Sequence, residues 1–242
     1  MIQDQFRAFI DDLKNTHGAN LASVILYGSA ASGDFIAQRS DYNLLIALKK
    51  ITPADLRAAQ APMREWHRMG HHLPVYFTVA EVKDGADVFP IEFHQMEKAR
   101  VVLYGEDVLA GVTFTDANLR HQTEYELRSK LIQLRRHYIP VSMSAEKLTQ
   151  LMNDSLGSFV ALFRAVLLLH DIEPPLSKPE VISATEKHLG LNVDVFERIT
   201  ALRAGSGSDA KMPTDVKANE LFTEYMEQIE RVINAVDKLN KT

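Results

Sequence analysis

The chain has 242 residues, of which 46% are hydrophobic and 24% are charged, with a formal net charge of -5. This length is sufficient for two modest domains, each with its own core. Lys and Arg number 11 against 14 Asp and Glu before residue 116, and 16 against 18 from there on. Neither part is basic, so the composition argues against a large nucleic-acid-binding surface. There is no Cys, which excludes disulfides and Cys-based zinc sites and favours the reducing cytoplasm.

The ends and the apolar runs of the sequence give no membrane signal. The first twelve residues contain three Asp and no apolar core, so they do not predict a secretion signal. No apolar run approaches the roughly 20 residues that cross a bilayer. We therefore expect a cytoplasmic protein without a membrane partner.

The first part of the chain alternates between helical and strand patterns. Apolar residues at helical spacing predict an amphipathic helix over residues 2–16. Two apolar runs that flank a short polar loop predict the first two strands, and Thr52-Pro53 predicts a helix start. The remaining predicted elements are a helix over 53–69, a third strand over 73–79, short elements at 82–89 and 90–97, and a strand from Arg100 that turns at Gly105.

Long helical periodicity takes over after Gly111. The predicted helices cover 116–139, 145–170, 178–189, 193–204 and 215–239, and Gly205 to Ser208 predict a flexible loop. The fold prediction is an α/β (α+β) domain with a mixed sheet over 1–112, followed by an all-α helical bundle over 116–242. The helical part can supply a homodimer interface.

One stretch carries most of the chemistry. An apolar run leads into Gly28-Ser29, a polar loop follows, and Ser40-Asp-Tyr-Asn43 opens a second apolar run. Residues i and i+2 of a strand point to the same face, so Asp41 and Asn43 are predicted to project together. Gly28 allows a sharp turn and a close phosphate, Ser29 offers a hydroxyl and an N–H, and Ser40 lies beside the pair. A carboxylate at Asp41 suits Mg²⁺, which bridges to substrate phosphates.

This arrangement resembles the DNA polymerase β-like nucleotidyltransferase superfamily, and within it the small bacterial and antibiotic-modifying branch. The signature of that family is an apolar strand, Gly-Ser, a spacer, and Asp-x-Asp in a second strand. Gly28, Ser29 and Asp41 match it, and the all-α second domain is also similar. Taken alone, Gly-Ser is more typical of a hairpin turn. The resemblance implies a nucleoside triphosphate partner such as ATP, a Mg²⁺ cofactor, Asp41 and Asn43 as catalytic and metal-binding residues, and Gly28, Ser29 and Ser40 as nucleotide-binding residues.

The sequence departs from the family pattern at two acids. The second carboxylate falls on Asn43, a neutral and weaker Mg²⁺ ligand. The third comes from a later strand in such enzymes, but residues 73–79 contain no acid. Tyr76 occupies about the place where this third carboxylate is expected. Glu81 or Glu92 is a candidate to supply the carboxylate in its stead.

Several other residues have two interpretations. Trp66 suits core packing better than base stacking, and His71-His72 suit a solvated loop better than a metal site. Glu106 and Asp107 suit a solvated turn better than a substrate contact. Several residues of the helical part have either a structural or a functional interpretation. The functional alternatives are phosphate contacts for Arg128, Arg135 and Arg136, and a general base at Glu124 or Glu126. The third alternative is an Arg-His pair formed by Arg164 and His170.

Three functions follow as hypotheses. The first is an enzyme that transfers a nucleoside monophosphate to a hydroxyl of a small molecule or protein. The second is a nucleotide-binding regulator that has lost catalysis, as Asn43 and the acid-free third strand suggest. The third is RNA cleavage, because Arg164-x5-His170 loosely resembles the Arg-His pair of HEPN ribonucleases.

Overall fold

The computed structural model describes residues 6–32, 42–175, 177–204 and 213–239. The chain divides into two compact units, Met1–Thr115 and Asp116–Thr242. The first unit contains a mixed four-stranded sheet flanked by helices, and the second is all helical. The predicted fold class is therefore confirmed.

The described elements of the first unit alternate between helices and strands. They are α1 (Arg7–His17), β1 (Leu21–Tyr27), α2 (Ser29–Ser32), β2 (Asn43–Leu48), α3 (Pro53–Ala58), α4 (Gln60–Arg68), β3 (Val75–Thr78), α5 (Val79–Asp84), α6 (Pro90–Lys98) and β4 (Arg100–Gly105). The single helix predicted over 53–69 is in fact two helices that meet at Ala59. Pro62 lies in the first turn of α4, where its missing N–H costs least, and it would break a continuous helix.

The strands lie in the order β3-β2-β1-β4. β1 is antiparallel to both β2 and β4, whereas β2 and β3 are parallel. Leu44, Ile46 and Leu48 of β2 pack on the face that α1 and α4 cover, with Phe9 and Trp66. Leu45 and Ala47 pack on the other face, which α5 and α6 cover, with Val82, Phe93 and Met96. The alternation of β2 therefore places Asn43 on the α6 side of the sheet.

The second unit is built around one long helix. The described helices are α7 (Asp116–Val141), α8 (Ala145–Leu169), α9 (Lys178–Leu189), α10 (Val193–Ala204) and α11 (Asp215–Asp237). All the others pack against α8. Leu127, Leu131 and Leu134 bury the predicted stripe of α7. Tyr138 stacks on Phe222 of α11 with ring centroids 4.4 Å apart.

By length and composition, α8 is long and apolar enough to cross a membrane. The expectation that no segment reaches this length is wrong by that criterion. However, Leu148, Met152, Phe163 and Val166 of α8 are fully buried. A long, largely apolar helix is also typical of a bundle centre, and α8 has that position among the described helices.

A buried polar pair lies at the far end of the sheet from Asn43. His17 ends α1 and is 7% exposed. Its ring centroid lies 5.9 Å from that of Tyr76 on β3. Neither ring nitrogen of His17, nor the Tyr76 hydroxyl, has a hydrogen-bond partner within the described part of the chain. Burial lowers the pKa of His17, and the negative charge of Asp55 opposes this shift only in part.

His17 should make the first unit sensitive to acid. Its pKa is lower in the folded than in the unfolded state, so the unfolded state binds the proton more readily. Stability should therefore fall as the pH drops below about 6.5, the ordinary His value. Urea unfolding is followed by the fluorescence of Trp66. We expect its midpoint to be lower at pH 5 than at pH 7.5.

The His17→Phe variant is the control, because it keeps an aromatic ring but cannot titrate. Its midpoint should depend less on pH over the same range. Burial also lowers the pKa of His94, so some dependence should remain. An unchanged pH dependence in His17→Phe would contradict the assignment. Midpoints rather than amplitudes are compared, since the His71 ring lies 4.6 Å from Trp66 and this contact can alter the emission intensity.

Candidate functional site

The predicted phosphate turn follows β1. Gly28 has a φ of +76°, a conformation that L side chains rarely adopt. Its N–H donates to the Ala99 carbonyl at 3.1 Å, and its own carbonyl accepts from the Ala31 N–H at 2.9 Å. The turn therefore connects the end of β1 to the residue before β4 and starts the short helix α2.

Asn43 lies directly beside this turn. It opens β2 opposite Tyr27, the last residue of β1. A Cβ placed on Gly28 would lie 3.2 Å from Asn43 Nδ2. Gly28 is thus favoured both by its left-handed conformation and by the close approach of the Asn43 amide.

The structure describes only some of the other predicted site residues. Ser29 opens α2, but its side chain is not among the described ones. Ser40 and Asp41 lie outside the described residues. Of the predicted site residues, the structure brings Gly28 and Asn43 together. The projection of Asp41 beside Asn43 stays a prediction.

Tyr76, at the place expected for the third acid, and Glu81, one of its two substitutes, both lie away from Asn43. Tyr76 pairs with Ile46 and points to the α1 side, opposite Asn43. Glu81 caps α5: its carboxylate accepts from the Thr78 N–H at 2.7 Å, beyond the end of β3 that is remote from Asn43. The place expected at Tyr76 and the substitute at Glu81 are wrong, because strand parity turns Tyr76 to the opposite face and a capping box engages Glu81.

Glu92 lies on the correct side of the sheet. It is an exposed residue in the first turn of α6. Burial raises the pKa of Tyr27 on β1, and the negative charge of Glu92 adds to this shift. The charge of Glu92 therefore influences Tyr27, the residue that pairs with Asn43. Neither Tyr76 nor Glu81 is placed to do this.

Mg²⁺ is the cofactor that the sequence resemblance implies. Across residues 6–32, 42–175, 177–204 and 213–239, no group of three or more His, Asp or Glu side chains is placed to hold a metal ion. Asn43 contributes only an amide oxygen, and β3 contains no acid. The described residues therefore do not fit a two-metal centre, and Asp41 is the carboxylate on which a single-ion site would depend.

A row of side chains borders the turn across three strands. Tyr27 pairs with Asn43 on one side and with Arg100 on the other. Arg100 Nε donates to both carboxylate oxygens of Asp107, at 3.2 and 3.0 Å. Its Nη1 donates to the Glu97 carbonyl at 2.9 Å. Asp107 is therefore a structural partner of Arg100, which neither sequence interpretation of this residue predicted.

The cations and acids suggested in the helical unit are largely engaged with one another. Arg128 pairs with Glu124 at 2.8 Å and with Asp237 at 3.4 Å. Arg135 pairs with Glu230 at 2.6 Å. These contacts tie α7 to α11 or lie along α7, as expected for a solvated helix face.

Arg164 and His170 each have a contact of their own. Arg164 donates to the Pro175 carbonyl, and burial lowers its pKa. His170 follows the end of α8 and contacts the His188 ring, with centroids 4.3 Å apart. Positions six residues apart on an ideal helix differ by about 120° in direction, and His170 already lies beyond the last residue of α8. Arg164 therefore has the structural role.

The adjacent histidines belong to an aromatic cluster. The His71 ring lies 5.0 Å from Tyr42 and 4.6 Å from Trp66. Trp66 is 2% exposed and donates its Nε1–H to the His72 carbonyl at 2.8 Å. The packing role predicted for Trp66 is confirmed, and His71 has a packing contact in place of the solvated loop expected for it.

Comparison with solved structures supports the fold. The chain is similar to the spectinomycin adenyltransferase AAD(9) from Enterococcus faecialis, solved with ATP and spectinomycin, with a TM-score of 0.58 and 13% sequence identity over 96% of this chain and 99% of that one. A nucleotidyltransferase-like protein from Exiguobacterium sibiricum 255-15 matches with a TM-score of 0.41 and 10% identity, over 97% of this chain and 75% of that one. The similarity to the adenyltransferase gives the chain a nucleotidyltransferase fold, as the resemblance implied.

Sequence comparison adds no relative. No model of a known protein family matches the chain, and no curated protein does so.

Proposed function

We propose that this protein binds a nucleoside triphosphate, ATP first among the candidates, at the turn formed by Gly28 and Ser29. It transfers the nucleoside monophosphate to a hydroxyl of a small molecule. The observation that carries the proposal is the close approach of Asn43 to the left-handed Gly28, closed by the bond to Ala99. This turn occurs in a nucleotidyltransferase fold, and the similar AAD(9) structure was solved with ATP and spectinomycin.

Each proposed site residue has a separate task. Gly28 admits the phosphates, and the Ser29 and Ser40 hydroxyls are proposed to donate to them. Asp41, with the amide oxygen of Asn43, would hold one Mg²⁺, which neutralises phosphate charge when bound. Asn43 also offers an amide N–H beside the turn, which a carboxylate at this position would lack. A cytoplasmic location and a homodimer through the helical unit stay predictions.

Calorimetric titration with ATP, with and without Mg²⁺, tests the binding step. Wild type should bind ATP more tightly with Mg²⁺. The Asp41→Ala variant should lose that difference and about tenfold or more in affinity, because hydrogen bonds and ion contacts to charged groups contribute about 1.5–3 kcal/mol. If wild type binds none of the four common nucleoside triphosphates, the proposal fails.

Labelled ATP tests the transfer step. Incubation with hydroxylated small molecules, spectinomycin included, should move labelled AMP to an acceptor and release pyrophosphate. Asp41→Ala should abolish this transfer while the Trp66 unfolding transition stays unchanged. Binding without transfer to any acceptor would argue against an enzyme.

The second candidate is a nucleotide-binding regulator. It is favoured by one specific observation: Asn43 replaces a carboxylate, and β3 contains no acid. It predicts ATP binding with weak Mg²⁺ dependence and no transfer. Asn43→Asp should then strengthen the Mg²⁺ dependence of ATP binding, because it adds a carboxylate ligand. An unchanged Mg²⁺ dependence in Asn43→Asp would weaken this candidate.

A further inference from the structure

Tyr27 has a special position in the row of side chains that borders the turn. It immediately precedes Gly28 and lies between Asn43 and Arg100 in the strand register. Its ring packs against the cluster that contains Ile25, Leu45 and Phe93. The ring is therefore held by the core on the same side of the sheet as Asn43.

The Tyr27 hydroxyl differs from the hydroxyls of three other tyrosines, Tyr76, Tyr138 and Tyr225. Tyr138 donates to Asn219 at 2.6 Å, and Tyr225 shares a bond of 3.1 Å with Ser155. The Tyr76 hydroxyl is sealed in the core without a partner in the described part of the chain. Tyr27 is only partly buried, and no described residue hydrogen-bonds its hydroxyl.

This combination is that of a fixed donor beside a binding turn. The packed ring leaves little freedom to lose on binding, and an unengaged hydroxyl has no internal bond to give up. Directly opposite residues of antiparallel strands have Cβ atoms about 5 Å apart. Because a Tyr side chain is longer than this separation, its hydroxyl can reach a ligand that also contacts the Asn43 amide.

We propose that the Tyr27 hydroxyl donates a hydrogen bond to an oxygen of the nucleotide bound at the Gly28 turn. The inference rests on the proposed function and adds a nucleotide-binding residue that the family signature does not contain. Tyr27 positions the nucleotide from the α6 side of the sheet. The bond requires no group beyond the nucleotide and the tyrosine.

The Tyr27→Phe variant tests the inference, because it removes one oxygen and keeps the packed ring. Its affinity for ATP, measured by calorimetry with Mg²⁺, should be about tenfold weaker than that of wild type. The Trp66 unfolding midpoint should be unchanged, because the hydroxyl has no bond to a described residue. Tyr76→Phe is the matched control: it removes a hydroxyl from the opposite face and should bind ATP as wild type does.

Each outcome has one meaning. If wild type binds ATP and Tyr27→Phe binds it equally well, the inference is wrong and the proposed function stands. If wild type binds no nucleotide, the function fails and the inference fails with it. Equal losses in Tyr27→Phe and Tyr76→Phe would also overturn the inference, because they would indicate a general effect on the sheet.

Titrations with AMP and pyrophosphate locate the oxygen: a loss with AMP places it on the ribose or α-phosphate, and a loss with pyrophosphate alone places it on the β- and γ-phosphates.

Discussion

Gly105→Ala should destabilise the first unit by about 4 kcal/mol or more, which is an exceptional value for one methyl group. Gly105 ends β4 with a φ of +76°, and it pairs with Ser23 of β1. A Cβ at this position would lie 1.9 Å from the Ala22 carbonyl oxygen and 2.9 Å from the Ala22 carbonyl carbon. Both atoms are backbone atoms of a central strand, so only separation of β1 from β4 can relieve the overlap.

Trp66 makes this prediction measurable. It is the only Trp of the chain, it is buried, and it lies in the first unit. Urea unfolding followed by Trp66 fluorescence should therefore show a large downward shift of the midpoint, or no folded baseline at all.

Gly111→Ala is the matched control for this substitution. Gly111 has almost the same φ, +77°, but a Cβ there would meet no atom within 4 Å. Only the left-handed conformation should be costly, at about 1–2 kcal/mol. Equal destabilisation by the two variants would contradict the argument, because it would mean that the conformation and not the overlap with Ala22 decides the loss.

Phe163→Ala should have the second largest effect, about 3–5 kcal/mol. Phe163 is fully buried in the middle of α8. Its ring lies 6.0 Å from that of Phe196 on α10, at an interplanar angle of 84°. The substitution leaves a cavity at the centre of the bundle, where surrounding helices can close it only in part.

Far-UV circular dichroism is the measurement for this variant, because the second unit is all helical. Tyr125→Ala is the control: it also truncates an aromatic residue to Ala, but Tyr125 is 64% exposed on α7. It should change stability by less than about 0.5 kcal/mol, as is usual for surface substitutions. A similar loss in both variants would mean that α8 is not the centre of the bundle.

The sequence predicts the helical unit well because its signals are local. Residues 178–189 and 193–204 are helices with the predicted bounds. Their apolar periodicity and flanking caps decide the structure without reference to distant strands. The presence of a sheet in the first unit is predictable for the same reason, since each strand has its own apolar run.

The candidate site is less predictable because its neighbours come from strand register. Nothing in the sequence places Arg100 beside Tyr27, since the β1–β4 pairing joins distant segments. Tyr76 appeared to be on the site side because its face depends on the register of β3. By contrast, the role of Glu81 was readable, since Thr78-x-x-Glu81 is a capping-box signature.

The bond between the Gly28 N–H and the Ala99 carbonyl joins residues 71 positions apart. Bringing together chain segments at this separation costs of order 4 kcal/mol in loop-closure entropy. The β1–β2 hairpin involves a shorter separation, so it can form earlier, but the turn is fixed only after β4 has paired. High contact order slows folding. A nascent chain on the ribosome therefore cannot complete the turn until synthesis has passed β4.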